Sequence, residues 1–341
     1  MGPRDPGSRG TGGRAGDGGR VASGRRPGRA LLRIVVTLVV VWVVTVAGLA
    51  AYGWARVATV AAAPASRPAD APGTTYLMVG SDSRAGLTAE QRATLHTGSV
   101  TGQRTDTILL LHVPATGGPA VLVSLPRDSW VPIPGHGRDK LNAAFALGGP
   151  RLLVETVESV TGLHVDHYVE IGFAGFAGIV DAVGGVPVCV AGPIDDEKAG
   201  LHVRGGCQVL DGRTALAYVR ARYFDPRGDL GRVERQQQVL AALTHRLASP
   251  ATLANPLRLA RLAHAGGSSL AVGQGTGPLD AARFALGLRA ATSDGGIRTT
   301  VPVADPDYRT WAGSTVRWDR PAALALFRAL RADQPPPQVS R

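Results

Sequence analysis

The sequence predicts an α/β protein: a three-layer α/β/α extracytoplasmic domain with a mixed central sheet, preceded by one transmembrane helix. Three observations predict it. Short apolar runs ending in Gly or Pro alternate with longer segments of helical periodicity. Residues 34–55 form a 22-residue stretch without a charged side chain. The basic charge is uneven, since residues 1–33 carry eight Arg against two Asp, more than half of the net +11. A hydrophobic content of 44% suffices for a real core and excludes a wholly disordered chain.

Taken in order, the Gly/Arg-rich residues 1–33 show no hydrophobic periodicity and are expected to be a disordered basic tail. The stretch "IVVTLVVVWVVTVAGLAAYGWA" (34–55) is long enough to span a bilayer, with Tyr52 and Trp54 at its outer end. Arginines on its N-terminal side keep the tail in the cytoplasm and export the rest. A cleaved signal peptide is the alternative, because "AAAPA" (61–65) resembles a cleavage site, but secretory apolar cores run only ~7–15 residues. Residues 56–74, rich in Ala and Pro, read as a linker.

Strands are expected at 75–80, 106–113 and 120–126, the last two joined by the turn-forming "PATGGP". Residues 140–149 read as a short helix stopped by glycine. Residues 150–162 read as another, with Pro at its first position and Gly after its last turn. A strand at 167–171, a helix at 173–185 and a strand at 186–190 follow. Then come a helix at 211–222 with Asp211 as N-cap and a longer helix at 229–248. Residues 251–333 continue with an arginine-rich helix, a Gly-rich loop (265–278), a helix near 279–291, a strand at 297–303 and a last helix near 320–332. Residues 334–341 form a Pro-rich disordered tail.

Cys189 and Cys207 are the two cysteines. In an exported domain they suggest a disulfide, with two free thiols as the alternative.

Charged pairs cluster at strand ends. Asp82 and Arg84 lie just past the first strand. Arg104 and Asp106 lie just before the second, and Arg127 and Asp128 just past the third. A fourth cluster is "YVRARYFDPRGDLGRVERQQQ" (218–238), with Arg220, Arg222, Arg227, Arg232 and Arg235. One such Asp is ordinarily a turn or cap residue; three Arg/Asp pairs flanking neighbouring strands point to a ligand at the sheet's end. Guanidinium forks bind phosphate oxygens bidentately and stay charged. The aspartates fit beside them if they hold a hard cation, and Asp82 and Asp106 are the candidate metal ligands. Arg220 and Arg222 lie two apart and suit a frayed helix end, while Arg232 and Gln236, four apart, share a helix face. Only Lys140 and Lys198 are lysines, so part of this arginine content reflects base composition, and a solvated basic face is the plain alternative.

The blocks "GSDSR", "QRTDTILLLHV", "SLPRDSWV", "DKLNAAFALGG", "YVEIGFAGFAGIVDAVGGVPV" and "LDGRTALAYVRARYFDPRGDLGRVERQQQVL" resemble, in order, the conserved blocks of LytR-CpsA-Psr proteins over residues 75–250. The resemblance implies a catalytic domain there. It implies a membrane-anchored phosphotransferase that moves a glycan phosphate from a polyprenyl-pyrophosphate carrier to peptidoglycan. It assigns Asp82 and Asp106 to Mg²⁺ (or Mn²⁺), and Arg104, Arg127, Arg220, Arg222 and Arg232 to the pyrophosphate. Lys140 and Gln236 match further polar positions of the same pocket, and the two cysteines resemble a disulfide of actinobacterial members. The implied partners are the lipid-linked glycan, peptidoglycan and the lipid bilayer, with no nucleic acid. The expected location is the cell membrane, single-pass, with the N-terminus cytoplasmic.

Three rival readings share parts of this pattern. A polyprenyl-pyrophosphate hydrolase would use the same site with water as acceptor. A membrane-bound transcriptional attenuator would need the arginines on the cytoplasmic side. A non-catalytic wall-binding module would tolerate loss of Arg220 or Asp106.

Overall fold

The computed structural model describes residues 27–81, 105–197, 199–221 and 229–337. The chain divides into two units, Met1–Thr45 and Val46–Arg341. Helix α1 (Pro27–Trp54) supplies the described part of the first and runs into the second. Its segment Arg29–Trp54 is 26 residues long and contains an 18-residue window of mean hydropathy 2.7, long and apolar enough to cross a bilayer. Leu31, Val35, Leu38 and Val44 along it are exposed rather than packed into a protein core.

The second unit is built on a seven-stranded mixed sheet in the order β1-β12-β7-β2-β3-β4-β13. Its strands are β1 (Ala58–Val60), β2 (Thr74–Ser81), β3 (Thr105–Val113), β4 (Val121–Ser124), β7 (His167–Gly172), β12 (Leu270–Gly273) and β13 (Ile297–Thr300). β2 lies parallel to β7 and antiparallel to β3, and β4 is antiparallel to β3 and parallel to β13. Side chains alternate across this sheet. Leu77, Val79, Ile108, Leu110 and Val123 enter one core with α2 (Leu141–Thr161) and α9 (Arg320–Arg331). Tyr76, Leu109, Leu111 and Leu122 enter another with Leu288 and Ala291 of α8 (Pro278–Thr292). Every residue of β4 is buried because both of its faces are covered. The layers are therefore helix, sheet, helix, as expected.

A third core lies beside the sheet. It joins α3 (Phe173–Ala182), α4 (Gly212–Arg220) and α5 (Asp229–Leu247) to the paired strands β8 (Val186–Val190) and β11 (Gly206–Leu210). Val180, Val186, Leu210, Ala215 and Val239 fill it. Cys189 stands directly opposite Cys207 in that ladder and the two form a disulfide, as the sequence suggested.

Several boundaries follow from local chemistry. α2 contains the two expected helices merged across a kink, where Gly148 and Gly149 leave helical geometry before Pro150. The Asp211 carboxylate caps α4 by accepting from the Thr214 N–H at 2.8 Å, and its pKa is lowered chiefly by a hydrogen bond from the Thr214 side chain, with the N–H adding to it.

Other elements differ from expectation. β1 forms inside the expected linker 56–74. Further along, Arg67 pairs with the buried Glu158 at 2.8 Å, so that stretch is held against the domain. The Gly-rich 265–278 is not a loop throughout: its first residues end α7 (Pro256–Ser269), and Leu270–Gly273 is a sheet strand between β1 and β7. Three hairpins were not foreseen: β5 (Trp130–Ile133) with β6 (Gly137–Lys140), β9 (Ile194–Asp196) with β10 (Leu201–Val203), and β14 (Val303–Thr310) with β15 (Gly313–Trp318). A short helix, α6 (Pro250–Leu253), precedes α7.

Candidate active site

One end of the sheet gathers the chemistry: the C-terminal ends of β2, β4 and β7 and the start of β3. Asp106 owes its position to a β-bulge. Gly80 pairs with Thr107 and Ser81 with Thr105, so Asp106 is the extra residue between them. Bulges of this kind re-aim side chains beside functional sites. On its N-terminal side, the hydroxyls of the paired Ser81 and Thr105 are fully buried, with no hydrogen-bond partner among the described residues.

Arg127 leaves β4 in a turn that is tightly pinned. Ser129 Oγ donates to the Pro126 carbonyl at 2.6 Å and accepts from Trp318 Nε1 at 2.8 Å. The carbonyls of Arg127 and Ser129 accept the N–H groups of Asn142 and Leu141, at 3.0 and 2.9 Å. The start of α2 is thereby capped by the turn that carries Arg127.

Four side chains then form a chain of alternating charge. Arg127 Nη1 donates to Asp106 Oδ1, Arg127 Nε donates to Asp128 Oδ2 at 3.2 Å, and Lys140 Nζ meets Asp128 Oδ1 at 3.1 Å. All four are half-buried, with side-chain exposures of 16–26%. Charges there are screened less than at an open surface yet remain reachable by a ligand.

α4 and α5 bring the second set of basic groups. Arg220, in the last turn of α4, lies over the ring of Phe173 at 4.8 Å. Phe173 directly follows Gly172, and Gly172 is paired with Ser81, so this guanidinium stands at the same sheet end as Asp106. Arg232, in the first turn of α5, is buried at 5% exposure. Gln236 Nε2 reaches the Val219 carbonyl at 3.5 Å. Gln237 Nε2 donates to Ser124 Oγ at 3.3 Å, tying α5 to the end of β4. Gln238 accepts from the Tyr218 hydroxyl at 2.9 Å and donates to the Cys189 carbonyl at 3.0 Å. Burial raises the pKa of Tyr218 and keeps it a neutral donor. Arg235 donates to the Ala221 carbonyl at 2.6 Å, closing the C-terminal end of α4.

The expected residues Asp106, Arg127, Lys140, Arg220, Arg232 and Gln236 thus lie on elements that meet at one sheet end. Asp82, Arg84, Arg104 and Arg222 lie outside the described residues. Sequence reasoning missed Ser81 and Thr105, whose hydroxyls carry no pattern, and the anchoring roles of Gln237 and Gln238. It also missed Asp128 as the bridge between Arg127 and Lys140.

The LytR_cpsA_psr family profile matches residues 58–266, more than half of the chain. The chain belongs to this family. It is 46% identical over 328 residues to the probable cell wall biosynthesis protein LcpB of Corynebacterium glutamicum, covering 93% of this chain and 75% of that protein. It is 33% identical to the cell wall biosynthesis protein LcpA of the same organism, over 93% of this chain and 68% of that one. A solved LytR-Csp2A-Psr enzyme from Actinomyces oris superposes with a TM-score of 0.62 at 26% identity, covering 80% of this chain and 95% of that structure. A stretch of 159 residues is 40% identical to a polyisoprenyl-teichoic acid–peptidoglycan teichoic acid transferase, TagU, of Enterococcus faecalis, over 46% of this chain and 52% of that protein.

Proposed function

We propose that this family member is a membrane-anchored phosphotransferase. It moves a glycan phosphate from a polyprenyl-pyrophosphate carrier to a peptidoglycan hydroxyl on the outer side of the membrane. What supports the reading is the half-buried set Asp106, Arg127, Asp128 and Lys140 at one end of the sheet, with Arg220 of α4 at the same end and Arg232 on α5, which Gln237 ties to the end of β4. Such a set matches a diphosphate, whose oxygens accept bidentate guanidinium bonds and whose charge needs several fixed cations. The names of the relatives support the class of reaction. The apolar α1 supports the anchor, and the arginine-rich residues before it support a cytoplasmic N-terminus.

The donor set fits magnesium. Asp106 offers a carboxylate, and the two buried, unpartnered hydroxyls beside it are hard oxygen donors, as magnesium prefers over nitrogen or sulfur. Asp106, with Asp82, would hold the ion, which would supply Lewis-acid neutralisation of the diphosphate. Arg127, Lys140, Arg220 and Arg232 would bind and orient the phosphates and stabilise charge on the departing lipid phosphate. A carboxylate of Asp106 or Asp82 would take the proton of the acceptor hydroxyl.

The test is an assay of purified full-length protein with a polyprenyl-pyrophosphate-linked glycan and peptidoglycan. Glycan joined to the wall polymer, dependent on both substrates, supports the transferase. Phosphate release that ignores the acceptor identifies a hydrolase, and no reaction with Arg220→Ala cells behaving normally identifies a binding module.

A further inference from the structure

α7 presents an outward stripe. Leu257, Arg261, His264 and Ser268 are exposed and spaced four, three and four apart, so they line one face of the helix. Leu257 is 69% exposed, and Leu253, at the end of α6, is 51% exposed. Exposed leucines beside basic side chains on one helix face are the composition of a helix that lies on a bilayer surface.

Both flanks of this stripe are fixed by close helix contacts. On one side Gly53, in the last turn of α1, packs on α7. A Cβ on Gly267 would come 2.3 Å from the Gly53 carbonyl oxygen, and one on Gly53 would come 3.1 Å from the Ala263 carbonyl oxygen. On the other side a Cβ on Gly175 of α3 would meet Ser269 Cβ at 2.1 Å. Backbones that approach this closely need glycine. Trp54 ends the apolar span, so α7 is held at the level where that span ends.

The stretch of chain that carries the stripe has charge of one sign. From Arg235 to Leu279 the chain contains no Asp or Glu, but has Arg235, Arg246, Arg258 and Arg261. The acidic residue lining the cleft between α3 and α7 is Asp181, and its Oδ1 is engaged by the Gly212 N–H at 2.7 Å. Arg56, beside Gly267, adds a further cation next to the span.

We propose that the α6–α7 stripe docks on the outer surface of a bilayer rich in anionic phospholipid. Leu253 and Leu257 enter the interface, while Arg258, Arg261 and His264 meet the headgroups. The inference rests on the reading of α1 as a membrane anchor. It bears on the reaction through α3, which begins with Phe173 under Arg220 and rests its glycines on α7. Docking would set the height of the arginine site above the surface from which a lipid-linked substrate emerges.

The test uses full-length protein in nanodiscs of phosphatidylcholine, with and without phosphatidylglycerol, containing doxyl-labelled lipid. The native cysteines are joined in a disulfide, so a bimane label attaches only to an introduced thiol. The label goes on Leu257→Cys or, as reference, on the exposed Ala325→Cys of α9. The expected result is at least about two-fold stronger quenching at 257 than at 325, increased by phosphatidylglycerol and reduced by Arg261→Glu. Equal quenching at both positions in protein that has entered the nanodiscs overturns the docking surface alone. Protein that does not enter them overturns the anchor reading, and the docking surface with it.

Discussion

The two ends of the central sheet use the same residue types in opposite ways. At the far end, His112 Nε2 meets Asp333 Oδ1 at 3.0 Å, and both side chains are almost fully buried. His112 Nδ1 lies 3.1 Å from Thr75 Oγ1, and Asp333 also accepts the N–H groups of Ala115 and Thr116. These groups answer one another and are sealed from water, as a structural clasp must be. At the site end, the Asp106–Arg127–Asp128–Lys140 chain is half open, and the Ser81 and Thr105 hydroxyls next to Asp106 have no hydrogen-bond partner among the described residues. Charge that is incompletely enclosed distinguishes the end proposed to take a ligand; density of charge alone does not.

The largest effect that would sharpen this contrast is on catalysis. Asp106→Asn and Arg127→Ala are each expected to lower glycan transfer by about 10²–10³, the scale of losing one transition-state stabiliser. The melting temperature should move by only a few degrees, because both side chains are partly solvated. A parallel collapse of folding would erase the distinction between the ends.

Opening the disulfide should cost stability instead. A bridge with a separation of 18 residues contributes roughly 3 kcal/mol in the chain-entropy model. Denaturant unfolding with and without reductant measures it. Asp333→Ala at the clasp is expected to cost about 2 kcal/mol, by leaving buried donors unpaired, while activity per folded molecule stays unchanged.

The clasp also predicts a pH dependence. Burial alone would raise the Asp333 pKa, but the hydrogen bonds from His112, Thr116 and Ala115 outweigh it and hold it below the usual value. A carboxylate depressed in the folded state stabilises above its unfolded pKa, about 3.9, and loses that contribution as pH falls through the folded value. The stability gap between wild type and Asp333→Ala should therefore be full at neutral pH and shrink below about pH 4. The smallest effect belongs to Asp211→Ala, which removes the cap of α4 and should cost about 1 kcal/mol in equilibrium unfolding.

The contrast between the two ends also explains what could be read in advance. Elements that announce themselves locally were legible: the alternating run of β8, the Pro150 and Gly162 signals of α2, the Asp211 cap. Of the strands of three or four residues, β4 and β13 were read and the rest were not, because their pairing is decided far away. β1 is a strand only because β12 lies beside it, and neither has a pattern of its own. In the site, Asp106, Arg127 and Arg220 stood out because Arg/Asp pairs flanked neighbouring strands and arginines crowded one helix end. The bulge that aims Asp106 and the bond from Gln237 to Ser124 depend on register and packing, which composition does not carry. Arg235 shows the converse, since it belonged to the conspicuous arginine run and serves the backbone of α4.

Binding of a short prenyl pyrophosphate to the full-length protein, followed by isothermal titration, tests the central claim most directly. The account predicts that Arg127→Ala and Arg220→Ala each weaken binding at least about ten-fold, while Asp333→Ala, once folded, binds like the wild type. Equal affinity across all four proteins would contradict it.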